Sequence, residues 1–217
     1  MGKTLGVLIV ASAIYGYTVG AAHDQIYATR NLLKFPLLVL STTIVCSLAY
    51  WVLARFFFLR LSFGRVQMLS LALFRDASVL LASLAPVNFF LAQVLVHTDD
   101  GRLGEYSLFL GLNVFFVALC GTVALVRQGR SVLATKITSR RRVSAVVLSW
   151  LVLSLVVGGQ ASFYLRPLFG LPASRGNIPP FALGSTPDVR GATNFFEAVL
   201  QVFTAPPLPR SWGGSED

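Results

Sequence analysis

The sequence predicts an all-α fold: a polytopic transmembrane helical bundle with about five spans and a short extracytoplasmic interfacial helix. Three observations predict it. The mean hydropathy is +0.70, only 12% of the residues are charged, and apolar runs alternate with arginine-bearing connectors. Each span needs about 20 mostly apolar residues, so a chain of 217 residues leaves no room for a separate soluble catalytic domain. We expect a five-span bundle over residues 1–166 and an extracytoplasmic Pro/Gly-rich tail over residues 167–217.

The first predicted span covers Leu5–Ala22. Lys3, the apolar stretch Leu5–Ile14 and the small residues Gly20–Ala22 are also typical of a cleavable signal peptide. We interpret the segment as a retained first span.

The remaining apolar runs predict four more spans. The second opens with Pro36, which the first turn of a helix tolerates. The predicted ranges are Phe35–Ala54 for the second span, a helix within Val66–Val96 for the third, one within Tyr106–Val126 for the fourth and one within Val143–Leu165 for the fifth.

The distribution of Lys and Arg predicts the orientation. The connector Arg55–Arg65 carries three arginines and the connector Arg127–Arg142 carries six basic residues, whereas His97–Glu105 carries three acidic residues and one arginine. Because basic connectors stay in the cytoplasm, we expect a cytoplasmic N-terminus and an extracytoplasmic C-terminus. Tyr50, Trp51 and Trp150 then lie near the cytoplasmic ends of their spans, where such rings anchor helices at the headgroups. The net charge of +9 indicates contact with anionic lipid, not with nucleic acid.

The tail is rich in Pro and Gly after Arg166 and predicts irregular backbone, with one exception at 194–203. Asn194 and Glu197 have the spacing of a capping box. Phe195, Phe196, Val199, Leu200 and Phe203 form one apolar stripe. The segment is too short to span, so we expect a helix along the outer membrane boundary or packed on the bundle.

Small residues recur at every fourth position in two spans. They are Ser12, Gly16 and Gly20 in the first, and Ser154, Gly158 and Ser162 in the fifth. Such ridges allow helix backbones to approach closely in lipid. Packing inside the bundle is the simpler interpretation, and an interface with another subunit is the alternative.

Four residues of the third span, Arg75, Asp76, Asn88 and Gln93, are the candidate polar intramembrane site. An ionisable pair inside a membrane is a default functional candidate, although at headgroup level it is merely structural. Pro86 removes a backbone hydrogen bond, and a kink with the nearby amides of Asn88 and Gln93 can line a polar cavity that Asn113 and Gln160 could face. Ordinary hydrogen bonds between helices are the alternative.

The sequence gives little support for a disulfide, a metal site or a catalytic site. Both cysteines, Cys46 and Cys120, lie in apolar runs, and we assign them no disulfide. His23 and His97 have acidic neighbours but match no metal-ligand spacing. No hydrolase, nucleotide-binding or metalloprotease motif occurs. We therefore expect no catalytic residues, no metal and no cofactor, and no enzyme activity.

Several stretches resemble a group of uncharacterised bacterial polytopic membrane proteins described as Yip1-like. They are Ala13–Gly20, Leu33–Leu38, Leu81–Val87, Arg166–Gly170 and Asn194–Glu197. The resemblance implies a five-span bundle in the inner (plasma) membrane of a bacterium, and it implies no established activity.

Two functions are compatible with these features. The first is a non-catalytic integral membrane protein that acts as a scaffold or accessory subunit of a larger membrane assembly. The alternative is a small transporter or channel component that uses a polar site around the kinked third span. In either case the expected partners are the lipid bilayer and other membrane subunits or a second copy of the chain.

Overall fold

The protein is a bundle of helices, and the all-α prediction is confirmed. The computed structural model describes residues 2–21, 25–59, 61–96, 103–133, 140–165, 194–197 and 200. No strand occurs in these ranges. Five of the helices are long and apolar enough to cross a membrane. The helices are α1 (Gly2–Gly20), α2 (Gln25–Phe56), α3 (Phe63–Ser83), α4 (Ala85–Val96), α5 (Leu103–Leu133) and α6 (Arg140–Tyr164).

Helix α2 is longer than the span predicted from its sequence. It begins at Gln25, so Pro36 lies inside the helix and not in its first turn. The prediction placed residues 25–34 in a connector because their charges resemble those of a loop. At about 1.5 Å per residue, 32 helical residues extend roughly 48 Å, which exceeds the hydrocarbon thickness of about 30 Å. The charge-free stretch Phe35–Ala54 alone matches that thickness.

The third predicted span is two helices instead of one kinked helix. Helix α3 ends at Ser83, Leu84 is a turn, and α4 begins at Ala85. Pro86 explains the break, because it has no N–H to bond the carbonyl of Ala82 and its ring crowds the preceding turn. The new start places Pro86 in the first turn of α4, where proline is tolerated.

Consecutive long helices run in opposite directions. Helix α1 packs against α2, α3 and α4, whereas α6 packs chiefly against α2 and α5. The bundle therefore has two ends. We call the end at which α2 and α5 finish and α3 and α6 begin the basic end, because Arg55, Arg65 and Arg141 are exposed there. The opposite end is called the far end.

A tight cap ends α2 at the basic end. The N–H of Leu59 bonds the carbonyl of Ala54 at 2.8 Å, and the N–H of Phe58 bonds that of Arg55 at 2.9 Å. This pair of bonds defines a Schellman motif, whose left-handed position usually holds glycine. Here Phe58 occupies it, with φ of 59°. A side chain at such a position costs roughly 1–2 kcal/mol.

Two of the aromatic rings expected at the headgroups lie in the core. Tyr50 and Trp150 are 0% and 2% exposed, and their rings stack with centroids 4.7 Å apart. The indole N–H of Trp150 bonds the Tyr50 carbonyl at 3.3 Å, and the Tyr50 hydroxyl pairs with Ser154. The predicted headgroup position of these two rings was wrong. A position near the end of a span does not determine whether a side chain faces lipid or another helix. Trp51 is only half-buried.

Candidate polar sites in the bundle

Two buried residues of α1 bind α4 and α5. Tyr15 donates a hydrogen bond to Oδ1 of Asn113 at 2.8 Å, and Asn113 donates to the Phe109 carbonyl at 2.9 Å. Thr18 accepts a hydrogen bond from Nδ2 of Asn88 at 3.2 Å and donates to the Tyr15 carbonyl at 2.8 Å. All four side chains of this interhelical network (Tyr15, Thr18, Asn88, Asn113) are buried. Among the described residues, Oδ1 of Asn88 has no hydrogen-bond donor.

The ion pair lies on α3 and faces α5. Nε of Arg75 donates to Oδ1 of Asp76 at 2.9 Å. Nε2 of Gln128 donates to the other carboxylate oxygen at 3.1 Å. The side chain of Asp76 is 13% exposed and that of Arg75 is 36% exposed. The charges therefore cancel locally, and Gln128, which the sequence analysis did not single out, completes the site.

The four candidate polar residues do not converge. Asp76 contacts Gln128, whereas the network around Asn88 contacts Asn113, and these two α5 residues are roughly 22 Å apart along the helix at 1.5 Å per residue. Gln93 is exposed on the outside of α4. Neither the surface groove lined by Arg55–Phe58 nor the groove between α1 and α3 includes any of the four residues. Gln160 lies half-buried on α6, and the hydrogen bonds described for Asn113 go to Tyr15 and Phe109 instead.

The first small-residue ridge is filled by α2. A Cβ atom at Gly16 would lie 2.4 Å from Cβ of Phe35 and 2.6 Å from the carbonyl oxygen of Asn31. At Gly20 it would lie 2.5 Å from the carbonyl oxygen of Tyr27. Only a hydrogen atom fits at either position, so the two backbones touch. Ser12, one turn earlier, is buried and bonds the Leu8 carbonyl within its own helix.

The second ridge also faces α2 but leaves more space. A Cβ atom at Gly158 would lie 3.8 Å from Cγ2 of Thr42, which is an ordinary contact. Ser154 meets Tyr50, and Ser162 bonds the Gly159 carbonyl at 2.7 Å within α6. The two ridges therefore differ in how closely their neighbours approach, although their residue spacing is the same.

Helix α2 also buries polar residues near the far end. Asn31 is 0% exposed and Lys34 is 4% exposed, and the guanidinium of Arg30 lies over the ring of Tyr27 at 5.9 Å. The sequence analysis missed these positions because it assigned them to a connector. An i, i+3, i+7 spacing of Tyr27, Arg30 and Lys34 was the available signal of a helix.

The tail touches the C-terminal part of α6. Oδ1 of Asn194 accepts the N–H of Glu197 at 2.9 Å, and residues 195–197 and 200 are helical. The ring of Phe195 lies against Gly159, where a Cβ atom would be 2.7 Å from Cδ1 of the ring. Phe196 and Leu200 are exposed. The remaining residues of the predicted helix 194–203 lie outside the described part of the chain.

Other candidates carry no site in the described ranges. No group of three His, Cys, Asp or Glu residues that could hold a metal ion occurs there, and His23 and His97 lie outside them. Cys46 and Cys120 are buried free thiols.

Comparison with known proteins does not identify a family for this chain. No family model, no curated protein and no solved structure matches the chain. The resemblance to Yip1-like membrane proteins stays a prediction.

Proposed function

We propose that this protein is a non-catalytic integral membrane protein that serves as a scaffold or accessory subunit of a larger membrane assembly. The observation that carries the proposal is the one-sided packing of α6. In the apolar stretch of α6, 11% of the residues are buried inside the bundle, whereas 39% are buried in the apolar stretch of α1. The outward face of α6 carries Leu148, Val152 and Leu155 in successive turns, each 44–62% exposed. A second helix can cover this face.

A glutamine on α6 supports a protein partner instead of lipid alone. Gln160 is half-buried in the apolar stretch of α6, and the structure gives its side chain no hydrogen bond among the described residues. An amide in hydrocarbon without a partner is costly. Asn and Gln side chains commonly bond across helix pairs in membranes. A neighbouring subunit would supply the missing partner.

The transporter alternative receives less support. It requires the polar residues of the third span to converge on a hydrated pathway. Instead, Asp76 bonds Gln128, Asn88 bonds Thr18, and Gln93 lies on the outside. Their contacts are those of helix packing, which favours the scaffold.

Site-directed cross-linking in native membranes tests the proposal. A variant with Cys46 and Cys120 changed to Ala receives one new cysteine, Leu155→Cys, on the open face of α6. We expect it to cross-link to another subunit or to a second copy. The control is Val10→Cys. Val10 is 60% exposed, but it lies on α1, which already packs against three other helices of the same chain. Equal cross-linking from both positions would contradict the proposal. So would a native mass measurement in mild detergent that detects only monomers.

The same proposal includes an orientation. The basic end faces the cytoplasm of a bacterium and the tail lies outside its inner membrane, because Lys and Arg near span ends are retained in the cytoplasm. The run Arg140–Arg142 directly precedes the apolar part of α6. Neutralising all three should expose a C-terminal tag to the cytoplasm in part of the population. A tag that stays fully extracytoplasmic in this variant would show that the three arginines do not set the orientation.

A further inference from the structure

The aromatic loop Phe56–Phe58 ends α2 with two rings that are exposed in the described part of the chain. Phe56 is 73% exposed and Phe58 is 83% exposed. The backbone that carries them is nevertheless fixed, because Leu59 and Leu61 on its C-terminal side are buried in the core. The rings are therefore held outward by a rigid support and are not part of a loose connector.

Phe58 occupies a backbone position at which glycine is the most stable residue. It is the left-handed residue of the Schellman cap, with φ of 59°. A side chain there is strained, and this one gains almost no burial within the protein. A strained, exposed aromatic side chain indicates a favourable contact outside the described chain.

The charge around the loop is strongly positive. Arg55 and Arg65 are exposed on either side of it, and the guanidinium of Arg55 lies 5.6 Å from the ring centroid of Trp51. No Asp or Glu occurs from Gln25 to Arg75. Asp76, the next carboxylate, is already paired with Arg75. The loop is therefore suited to an anionic partner.

The position along α2 identifies the partner as lipid. The charge-free stretch Phe35–Ala54 spans roughly 30 Å, the thickness of the hydrocarbon core. Arg55 follows immediately, at the level of the phosphate groups, and the rings of Phe56 and Phe58 lie beside it. Basic side chains and apolar rings together bind anionic membrane surfaces.

We propose that the end of α2 and the first turn of α3 form an anionic phospholipid site, in which Arg55 and Arg65 bind the lipid phosphate and Phe56 and Phe58 insert among the adjoining acyl chains. This site is independent of the scaffold role.

Native mass spectrometry of the full chain, purified in neutral detergent with equal amounts of phosphatidylglycerol and phosphatidylcholine, tests the site. We expect the unaltered protein to retain phosphatidylglycerol selectively. Arg55→Gln and Arg65→Gln should each reduce that selectivity about fivefold. The matched control is Arg127→Gln, because Arg127 is an exposed arginine at the same basic end of the bundle but on α5, outside the proposed site. A loss as large in the control, or none in the two variants, overturns the proposal.

Phe58→Gly separates lipid binding from a structural role. Glycine relieves the strained position, so the melting temperature in detergent should rise while phosphatidylglycerol retention falls roughly fivefold. A lower melting temperature with unchanged lipid retention would assign Phe58 to folding. Loss of a co-purifying protein with lipid selectivity intact would assign the loop to a protein partner. Equal stabilisation of the unaltered chain by inorganic phosphate would show that no lipid is needed. Each of these three results overturns the proposal.

Discussion

Helices α1 and α6 both carry small residues at every fourth position, but their surroundings differ. Helix α1 packs against α2, α3 and α4, and its ridge leaves space only for a hydrogen atom at Gly16 and at Gly20. Helix α6 packs on one side, and its ridge has room for a methyl group at Gly158. The same spacing therefore accompanies two roles: close backbone contact in α1 and looser attachment in α6. Small residues permit close approach but do not show that it occurs.

The largest expected effect tests this difference directly. Gly16→Ala would place Cβ within 2.6 Å of two atoms of α2, and such overpacking typically costs about 1–3 kcal/mol. Gly158→Ala, the matched control, meets only Thr42 at 3.8 Å and should leave the free energy of unfolding unchanged or slightly raised. Denaturant unfolding in detergent measures both. Equal losses in the two variants would show that the ridges are packed alike.

Sequence reasoning predicted the number of spans but not these contacts. Apolar length alone gives five spans, since each must bridge the same hydrocarbon thickness. How closely Gly16 approaches Phe35, or that Tyr50 stacks on Trp150, depends on the relative rotation and register of two helices. No local pattern encodes either quantity. The dispersal of the candidate polar residues has the same cause: Asn88 and Asp76 share a predicted span but bond different helices.

The second effect concerns the ion pair that joins α3 to α5. Asp76→Asn leaves Arg75 half-buried without its counter-ion, so we expect a loss of about 1.5 kcal/mol in the free energy of unfolding. Changing Arg75→Gln in the same chain removes the uncompensated charge and should restore most of that loss. The same unfolding measurement applies. A double variant less stable than Asp76→Asn alone would mean that Arg75 has another important contact.

The third effect compares the tyrosine contacts of the two regions: Tyr15 of α1, and Tyr50 of α2, which faces α6. Tyr15→Phe removes the donor to Oδ1 of Asn113 and leaves that buried oxygen without it, at a cost of about 1 kcal/mol. Tyr50→Phe should cost less, because Ser154 still bonds the Trp150 carbonyl and the stack with Trp150 remains. Adding Asn113→Leu to Tyr15→Phe should recover part of the loss. If Tyr50→Phe proves the more damaging change, the polar contacts of α6 are stronger than its packing indicates.

The smallest effect lies where the tail meets α6. A Cβ atom at Gly159 would be 2.7 Å from the ring of Phe195, and a ring can move away more easily than a backbone can. Gly159→Ala should therefore displace residues 194–197 while the bundle keeps its stability within about 0.5 kcal/mol. Amide exchange at 195–197 should increase in this variant and in Phe195→Ala, but not in Gly158→Ala one residue away. Unchanged exchange would show that Phe195 does not hold the tail. A marked loss of bundle stability would show that the tail contact is part of the fold, so that α6 is less open than its helix contacts indicate.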